Sequence, residues 1–455
     1  MRLSTPTLLS GLAAATALAA LATAPVLPRT AAAEPARPAS AQAQAAPRWG
    51  DAATTVTVTA RPSAESERLR LGQALRASDL TPTGLYVPAG TGLRVQVTPI
   101  DGKLPTLWIG TWDYYGEVKT PRSYTLRDGS TTVTDPHGGP VYLSLPGNGE
   151  RAEVQFRSGA TRMPAFRLGR TTEDGYQDAL NTFTASPYVE FTSPHGIVTV
   201  TREAALLYRD QDHETWLKLL ETVIASHAAI SGLDGARPED RRNANLFHFT
   251  EVSRVPSGVG AFATHGYNGF PRAYLDRLLT VDGLRTRGWG LYHELGHSHQ
   301  QTVYKPSGLT EVTVNIYSLA AQRTLGQPSN LVKPDAGTGL TPYQSALPKL
   351  GKDGLAYETS FAPMEKLVPL RQLELAFGND FWPRLHRLVR QEKPQAGDNA
   401  QRYRALAVLS SRVAGRDLTD FFVTRWAFPI DAQGKAELAA LKLPKPGTDP
   451  STLAE

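Results

Sequence analysis

The sequence predicts an α+β protein: a β-rich N-terminal module, read as a sandwich, followed by a mainly helical domain. Three observations carry that prediction. Period-two alternation runs through Thr55-Val56-Thr57-Val58-Thr59 and Leu93-Arg94-Val95-Gln96-Val97-Thr98, the pattern of half-buried strands. After Tyr188 the spacing becomes helical, with Trp216, Leu220, Val223, His227 and Ile230 three and four residues apart. Further on, His293-Glu294-Leu295-Gly296-His297 places two histidines four residues apart among apolar and small neighbours, as on one face of a buried helix.

Taken in order, residues 1–33 read as a secretory signal, with Arg2, an uncharged run from Leu8 to Ala24, and Ala31-Ala32-Ala33 before Glu34. The expected location is therefore extracellular, with no stable membrane insertion once the signal is removed, because no later segment is apolar enough to span a bilayer. Residues 34–50, rich in Ala, Pro and Gln, read as a linker. The β-rich module occupies 51–165, with Val141-Tyr142-Leu143-Ser144-Leu145 and Val154-Gln155-Phe156 continuing the strand pattern between Gly- and Pro-rich turns. Its Trp108, Trp112, Tyr114 and Tyr115 are candidates for stacking on sugar rings, although core and edge packing is the ordinary role of such aromatics. The helical domain is expected over 166–442. A strand is read at Leu246–Val252, and helices over 367–377, 381–390, 403–413 and 417–426, broken at Gly378 and Gly415. Residues 443–455, with three prolines and a glycine, read as a frayed tail.

Composition narrows the function classes. Hydrophobic residues make up 41% and charged residues 20% of the 455, as in an ordinary globular protein. The formal charge is +5; losing residues 1–33 leaves 46 basic residues against 43 acidic, too even a balance for nucleic acid or an anionic membrane. Cysteine is absent, so disulfides and thiolate metal ligands are both excluded, leaving histidine and carboxylate chemistry. No Gly-rich phosphate loop precedes a helix. The chain is expected to act as a monomer.

The His293/His297 pair carries the chemistry. One helical turn apart, the two imidazoles can bind a single Zn²⁺ at about 2.0–2.1 Å each, one ion per chain. Glu294, next to the first of them, is placed to take a proton from water rather than to bind the ion. His299, two residues beyond His297, lies on another face and reads as a supporting or surface residue. A third ligand is still needed. Glu311 is the only carboxylate between His297 and Asp335, so it is the candidate if the ligand follows nearby. Glu311 to Tyr317 alternates like a strand, yet as a helix it would put Asn315 on the same face as Glu311, free to orient the site. For an oxyanion donor, His265, Tyr267, Tyr304 and Tyr317 are the candidates, with His265 and Tyr267 on the Gly-rich stretch Thr264–Pro271.

His293-Glu294-Leu295-Gly296-His297-Ser298-His299-Gln300-Gln301 followed by Gly308-Leu309-Thr310-Glu311-Val312-Thr313-Val314-Asn315 resembles the enhancin-like family of mucin-degrading zinc metallopeptidases. Thr83–Gly90, Gly138–Leu143 and Phe421–Pro429 also look like family segments, so the resemblance extends from about Leu80 to Ile430. It implies a zincin-type domain with a gluzincin-type site, His293, His297 and Glu311 on zinc, and Glu294 as base. It also implies a glycoprotein or mucin substrate and contact with carbohydrate. Two other readings stay open: a secreted zinc endopeptidase indifferent to glycans, and a non-enzymatic glycan-binding or wall-associated protein with a structural metal site.

Overall fold

The computed structural model describes residues 54–455; the expected signal segment and linker lie outside the described residues. Two antiparallel sheets make up the N-terminal module. One holds β1 (Thr54–Thr59), β3 (Gly92–Pro99), β6 (Gly129–Thr134) and β8 (Arg151–Ser158) in the order β1-β8-β3-β6. The other holds β2 (Thr81–Val87), β4 (Thr106–Ile109), β5 (Arg122–Thr125), β7 (Gly139–Ser144) and β9 (Thr161–Arg162) in the order β5-β4-β7-β2-β9. The alternation works as read: Leu93, Val95 and Val97 of β3 are buried while Arg94 is exposed. Inward side chains of both sheets, among them Val58, Val97, Leu107, Ile109, Leu143 and Val154, close one core. Each such burial contributes about 1.5–3 kcal/mol. The module is a sandwich.

Next in the chain is a six-stranded mixed sheet, ordered β10 (Ala165–Arg167), β11 (Tyr188–Thr192), β12 (Gly196–Thr201), β13 (Phe247–Val252), β15 (Tyr267–Pro271), β14 (Phe262–Thr264). The short strand β14 is the outer edge and runs antiparallel to β15. With these strands come helices α1 (Ala64–Leu71), α2 (Glu173–Thr182), α3 (Arg202–Leu207), α4 (His213–Ile230), α5 (Leu275–Leu279), α6 (Val281–Arg287) and α7 (Trp289–His297). One face of the sheet gives Phe191, Val198 and Phe249 to a core shared with Trp216 and Leu220 of α4 and Tyr292 and Leu295 of α7. The helical histidines outside the motif are structural: His213 Nδ1 meets Glu173 at 2.7 Å, and His227 is fully buried with Nε2 at 2.8 Å from the Tyr292 carbonyl.

The opposite face of this sheet is polar and meets the N-terminal module. Tyr142 of β7 reaches Thr199 at 3.2 Å, Thr199 contacts His248 Nε2 at 2.9 Å, and Thr111 meets Thr250 at 3.2 Å. Burial holds the Glu190 pKa up to about 7 and that of His248 down to about 3, so this seam favours uncharged side chains.

The remaining helices are α8 (Thr310–Thr313), α9 (Asn315–Thr324), α10 (Pro342–Ala346), α11 (Tyr357–Ser360), α12 (Pro363–Phe377), α13 (Phe381–Glu392), α14 (Asn399–Ala414) and α15 (Ala432–Ala440). Leu367, Leu370, Trp382, Leu385, Leu406 and Phe422 fill their common core. Gly378 and Gly415, at φ 90° and 63°, end α12 and α14 in backbone that glycine adopts without strain. The short helix expected over 417–426 is a π-helical turn, Asp420–Arg425. No helix among the described residues is long and apolar enough to cross a membrane.

The C-terminal stretch corrects the sequence reading. It is packed, not frayed. Pro450–Thr452 forms a 3₁₀ turn, and the buried Gln372 donates through Nε2 to the carbonyls of Ser451 and Leu453 at 2.9 and 2.8 Å. Its Oε1 accepts from Trp426 at 2.9 Å, and Arg371 pairs with Glu455 at 2.6 Å. Prolines and glycine forbid a long helix there, but they do not forbid docking. Ending the chain at Pro444 should remove both acceptors of the Gln372 amide, at a cost of about 1–3 kcal/mol. A thermal melt against the full chain would read this as a lowered midpoint; an unchanged midpoint would show that the docked tail adds nothing.

Candidate metal centre

Helix α7 is short and its ends are defined by hydrogen bonding. It closes at His297, where the backbone N–H groups of Ser298, His299 and Gln300 turn back onto the carbonyls of Leu295 and Gly296. Leu291, Tyr292 and Leu295 bury one side of it. His293 and His297 lie on the other side, their side chains 17% and 12% exposed. The chain then returns through two 3₁₀ turns, Thr302–Tyr304 and Ser307–Leu309, which lift Glu311 to the level of the imidazoles in the first turn of α8. The stretch that alternates like a strand is helical in α8 and α9, so Glu311 and Asn315 do share a face.

Three donors converge. Glu311 Oε2 lies 2.9 Å from His293 Nε2 and 3.4 Å from His297 Nε2, and one donor atom of each residue falls within 4.8 Å of the others. A tetrahedral zinc with bonds of about 2.0–2.1 Å spaces its ligands about 3.3 Å apart, so this trio fits after small adjustment. Among the described residues it is the one group of three His, Asp or Glu side chains so placed. Two imidazoles and one carboxylate, with no thiolate, form a donor set that can hold a divalent metal ion.

The tautomer of His293 follows from its neighbour. Asn315 Nδ2 donates to the Glu311 carbonyl at 2.9 Å, so its Oδ1 is the acceptor for His293 Nδ1, 2.8 Å away. Nδ1 carries the proton and Nε2 is left to face Glu311. His297 Nδ1 likewise meets Gln300 Oε1 at 3.1 Å. Sequence reasoning singled out Asn315 and missed Gln300, which lies beyond the end of α7; its only sequence signal is the three-residue step from His297.

Charge shapes the site. Burial disfavours a charged His293, but its hydrogen bond to Glu311 and the nearby Glu294 and Glu311 carboxylates outweigh burial and hold its pKa up to about 9. For Glu311 burial acts upward, while the hydrogen bonds from His293 and His297 and their charges pull its pKa far below the carboxylate range. Glu294, only 8% exposed, has its pKa raised by burial, against the pull of His293 and His297. The backbone of Ala263 on the edge strand β14, which packs against α7, also draws its pKa down.

Glycine at 296 is a packing requirement. A Cβ there would stand 2.9 Å from Val314 Cγ2 and 3.0 Å from the Val314 carbonyl, where α7 and α9 touch.

None of the other sequence candidates belongs to the donor trio. His265 is exposed at the β14–β15 turn, with Nδ1 accepting from the Arg76 backbone at 3.4 Å. Tyr267 is buried and turned toward the N-terminal module, stacked on Trp112 at 5.1 Å with its hydroxyl accepting from the Tyr114 backbone. Tyr317 is fully buried and donates to the His299 carbonyl at 2.8 Å, and Tyr304 is fully buried against His386. Both tyrosines belong to the core behind the site. His299 is buried too, its Nδ1 3.2 Å from Ser231 Oγ, and it is not a ligand. A cavity of about 420 Å³ lies between the module and the six-stranded sheet, walled by Asp113, Arg122, Glu251 and Arg272 among others and by none of the donor trio.

Residues 159–427 match the family described as Peptidase M60, enhancin and enhancin-like, and residues 62–157 match the N-terminal domain of M60-like peptidases. The chain belongs to the M60 family. A mouse relative, TRPM8 channel-associated factor 3, is 24% identical over 386 residues, covering 79% of this chain and 39% of its own length. The chain thus spans about two fifths of that curated relative. A conserved protein of unknown function from Bacillus anthracis str. Ames is 27% identical, with a TM-score of 0.79 over 88% of this chain and 81% of that one. The M60 catalytic domain of Clostridium perfringens ZmpC, solved with the sialyl T antigen, is 19% identical, with a TM-score of 0.73 over 88% and 81%. At that identity the likeness is one of fold.

Two outcomes follow for the M60 chain. A metal ligand must be deprotonated, so below pH 9 loading should displace the proton on His293, and affinity should weaken about tenfold per unit of falling pH. Calorimetry at pH 7.5 in two buffers of different ionisation enthalpy should report about one proton released per ion; none would mean that the imidazole is already neutral. Gly296→Ala should push α7 and α9 apart and cost about 1–3 kcal/mol in a denaturant titration; full stability would show that the seam has slack.

Proposed function

We propose that this chain is a secreted zinc endopeptidase that cuts peptide bonds in O-glycosylated, mucin-type proteins. The observation that carries the reading is the convergence of His293, His297 and Glu311 with Glu294 beside an open edge strand. Family membership supports peptide hydrolysis, and the sialyl T antigen bound to a structural relative supports a glycoprotein substrate. The signal-like 1–33 segment supports export.

His293 and His297 through Nε2, and Glu311 through its carboxylate, would hold the ion. Bound there, zinc supplies Lewis acidity, making water a nucleophile near neutral pH and polarising a carbonyl. The chain's own residues do the rest. Asn315 keeps the His293 proton on Nδ1, so that Nε2 faces the cleft. The Glu294 carboxylate takes the proton from the attacking water and hands it to the departing amine nitrogen. Its raised pKa suits a group that must both accept and return a proton near neutrality. As the sheet's edge, β14 can pair with an extended substrate backbone and lay the scissile bond beside Glu294.

Glu294→Gln should retain about one zinc per chain by elemental analysis while cleavage of an O-glycoprotein falls about 10²–10⁴-fold. Undiminished cleavage would remove Glu294 from its role. Mass-spectrometric mapping of cuts in the same protein before and after enzymatic deglycosylation tests the substrate: cuts confined to the glycosylated form are expected, and equal cutting of both would favour the glycan-indifferent endopeptidase.

A further inference from the structure

Gln300 is 1% exposed, and every polar atom of its amide is used within the site region. Nε2 donates to the Thr310 carbonyl at 2.7 Å and to Thr313 Oγ1 at 2.6 Å. A carbonyl can only accept, which fixes the amide's orientation and makes Oε1 the atom facing His297 Nδ1, 3.1 Å away. His297 must therefore carry its proton on Nδ1, leaving the Nε2 lone pair for the cleft. Thr313, also fully buried, passes its own proton to the Leu309 carbonyl at 3.1 Å, so it is a committed acceptor for Gln300.

The two residues that Gln300 grips on its far side bracket Glu311 in sequence. One amide thus ties the second imidazole to the turn that presents the carboxylate. We propose that Gln300 is a positioning residue: it sets the tautomer of His297 and fixes the α8 turn in register with α7, so that the three donors are held at zinc-binding spacing before the ion arrives. The inference rests on the metal-site reading above.

The replacement Gln300→Met keeps length and packing while removing both hydrogen-bonding ends. Zinc titrated against a chromophoric chelator should bind the variant about 10–100-fold more weakly than the wild type. The visible absorption of the Co²⁺-loaded protein should shift, and the His297 Nδ1–H signal in a ¹⁵N-correlated spectrum should lose its protection from exchange. Far-UV circular dichroism of the metal-free variant should match the wild type. Thr313→Val, which removes the hydroxyl anchor and leaves the His297 contact, serves if the first variant does not fold; it should weaken zinc binding with the Nδ1–H signal retained. Wild-type affinity and an unchanged cobalt spectrum in either folded variant would overturn the inference. A wild-type protein that binds no zinc would instead remove the reading beneath it, so the two failures are distinguishable.

Discussion

Two imidazoles and a carboxylate can share one ion only if the elements that carry them are held at a spacing set by bond lengths of about 2 Å. Here that spacing depends on how closely α7 and the α8–α9 segment approach. The contact at Gly296 allows that closeness, since any side chain there would meet the Val314 backbone. Amide side chains then lock the seam at both ends. Asn315 joins His293 to the Glu311 carbonyl, and Gln300 joins His297 to Thr310 and Thr313. Backbone proximity and side-chain registry are separate requirements, met by separate residues.

The same cluster gathers opposite charges, two sheltered imidazoles against a more exposed carboxylate. A protonated imidazole against a carboxylate is the arrangement such a cluster tolerates, which is why His293 is held up and Glu311 down. A divalent cation held by His293, His297 and Glu311 would exchange proton charge for metal charge. Beside this cluster, burial raises the Glu294 pKa while the charges of His293 and His297 pull it back.

Much of the site was legible because its residues follow helical arithmetic. His293 and His297 are one turn apart, and Asn315 lies one turn beyond Glu311. The sandwich was legible for a similar reason, since Leu93, Val95 and Val97 alternate with polar residues and face one core. What could not be read depends on partners distant in sequence. Glu311–Tyr317 fits either period, and only packing of α9 against α7 and α4 decides for helix. Tyr267, Tyr304 and Tyr317 carry hydroxyls suited to an oxyanion, but the Tyr114 backbone, His386 and the His299 carbonyl claim them. Gln300 sits past the helix end, where no periodic rule applies. The tail looked loose from its prolines because composition reports what backbone a segment cannot form and is silent on the buried glutamine that waits to receive it.

The polar seam between the sandwich and the six-stranded sheet has a consequence for how the molecule divides. Glu190, Thr199 and His248 are sealed from water by Tyr142 and its neighbours, and the hairpin ending at the edge strand is braced by the Trp112–Tyr267 stack. The N-terminal module is therefore a wall that the rest of the chain lacks. Cut apart at residue 160, the downstream fragment would hydrate a carboxyl and an imidazole that the intact protein keeps dry. The ribbon on which a substrate would lie would also lose its backing. The sandwich thus behaves as a buttress for the cleft, whether or not it ever touches sugar.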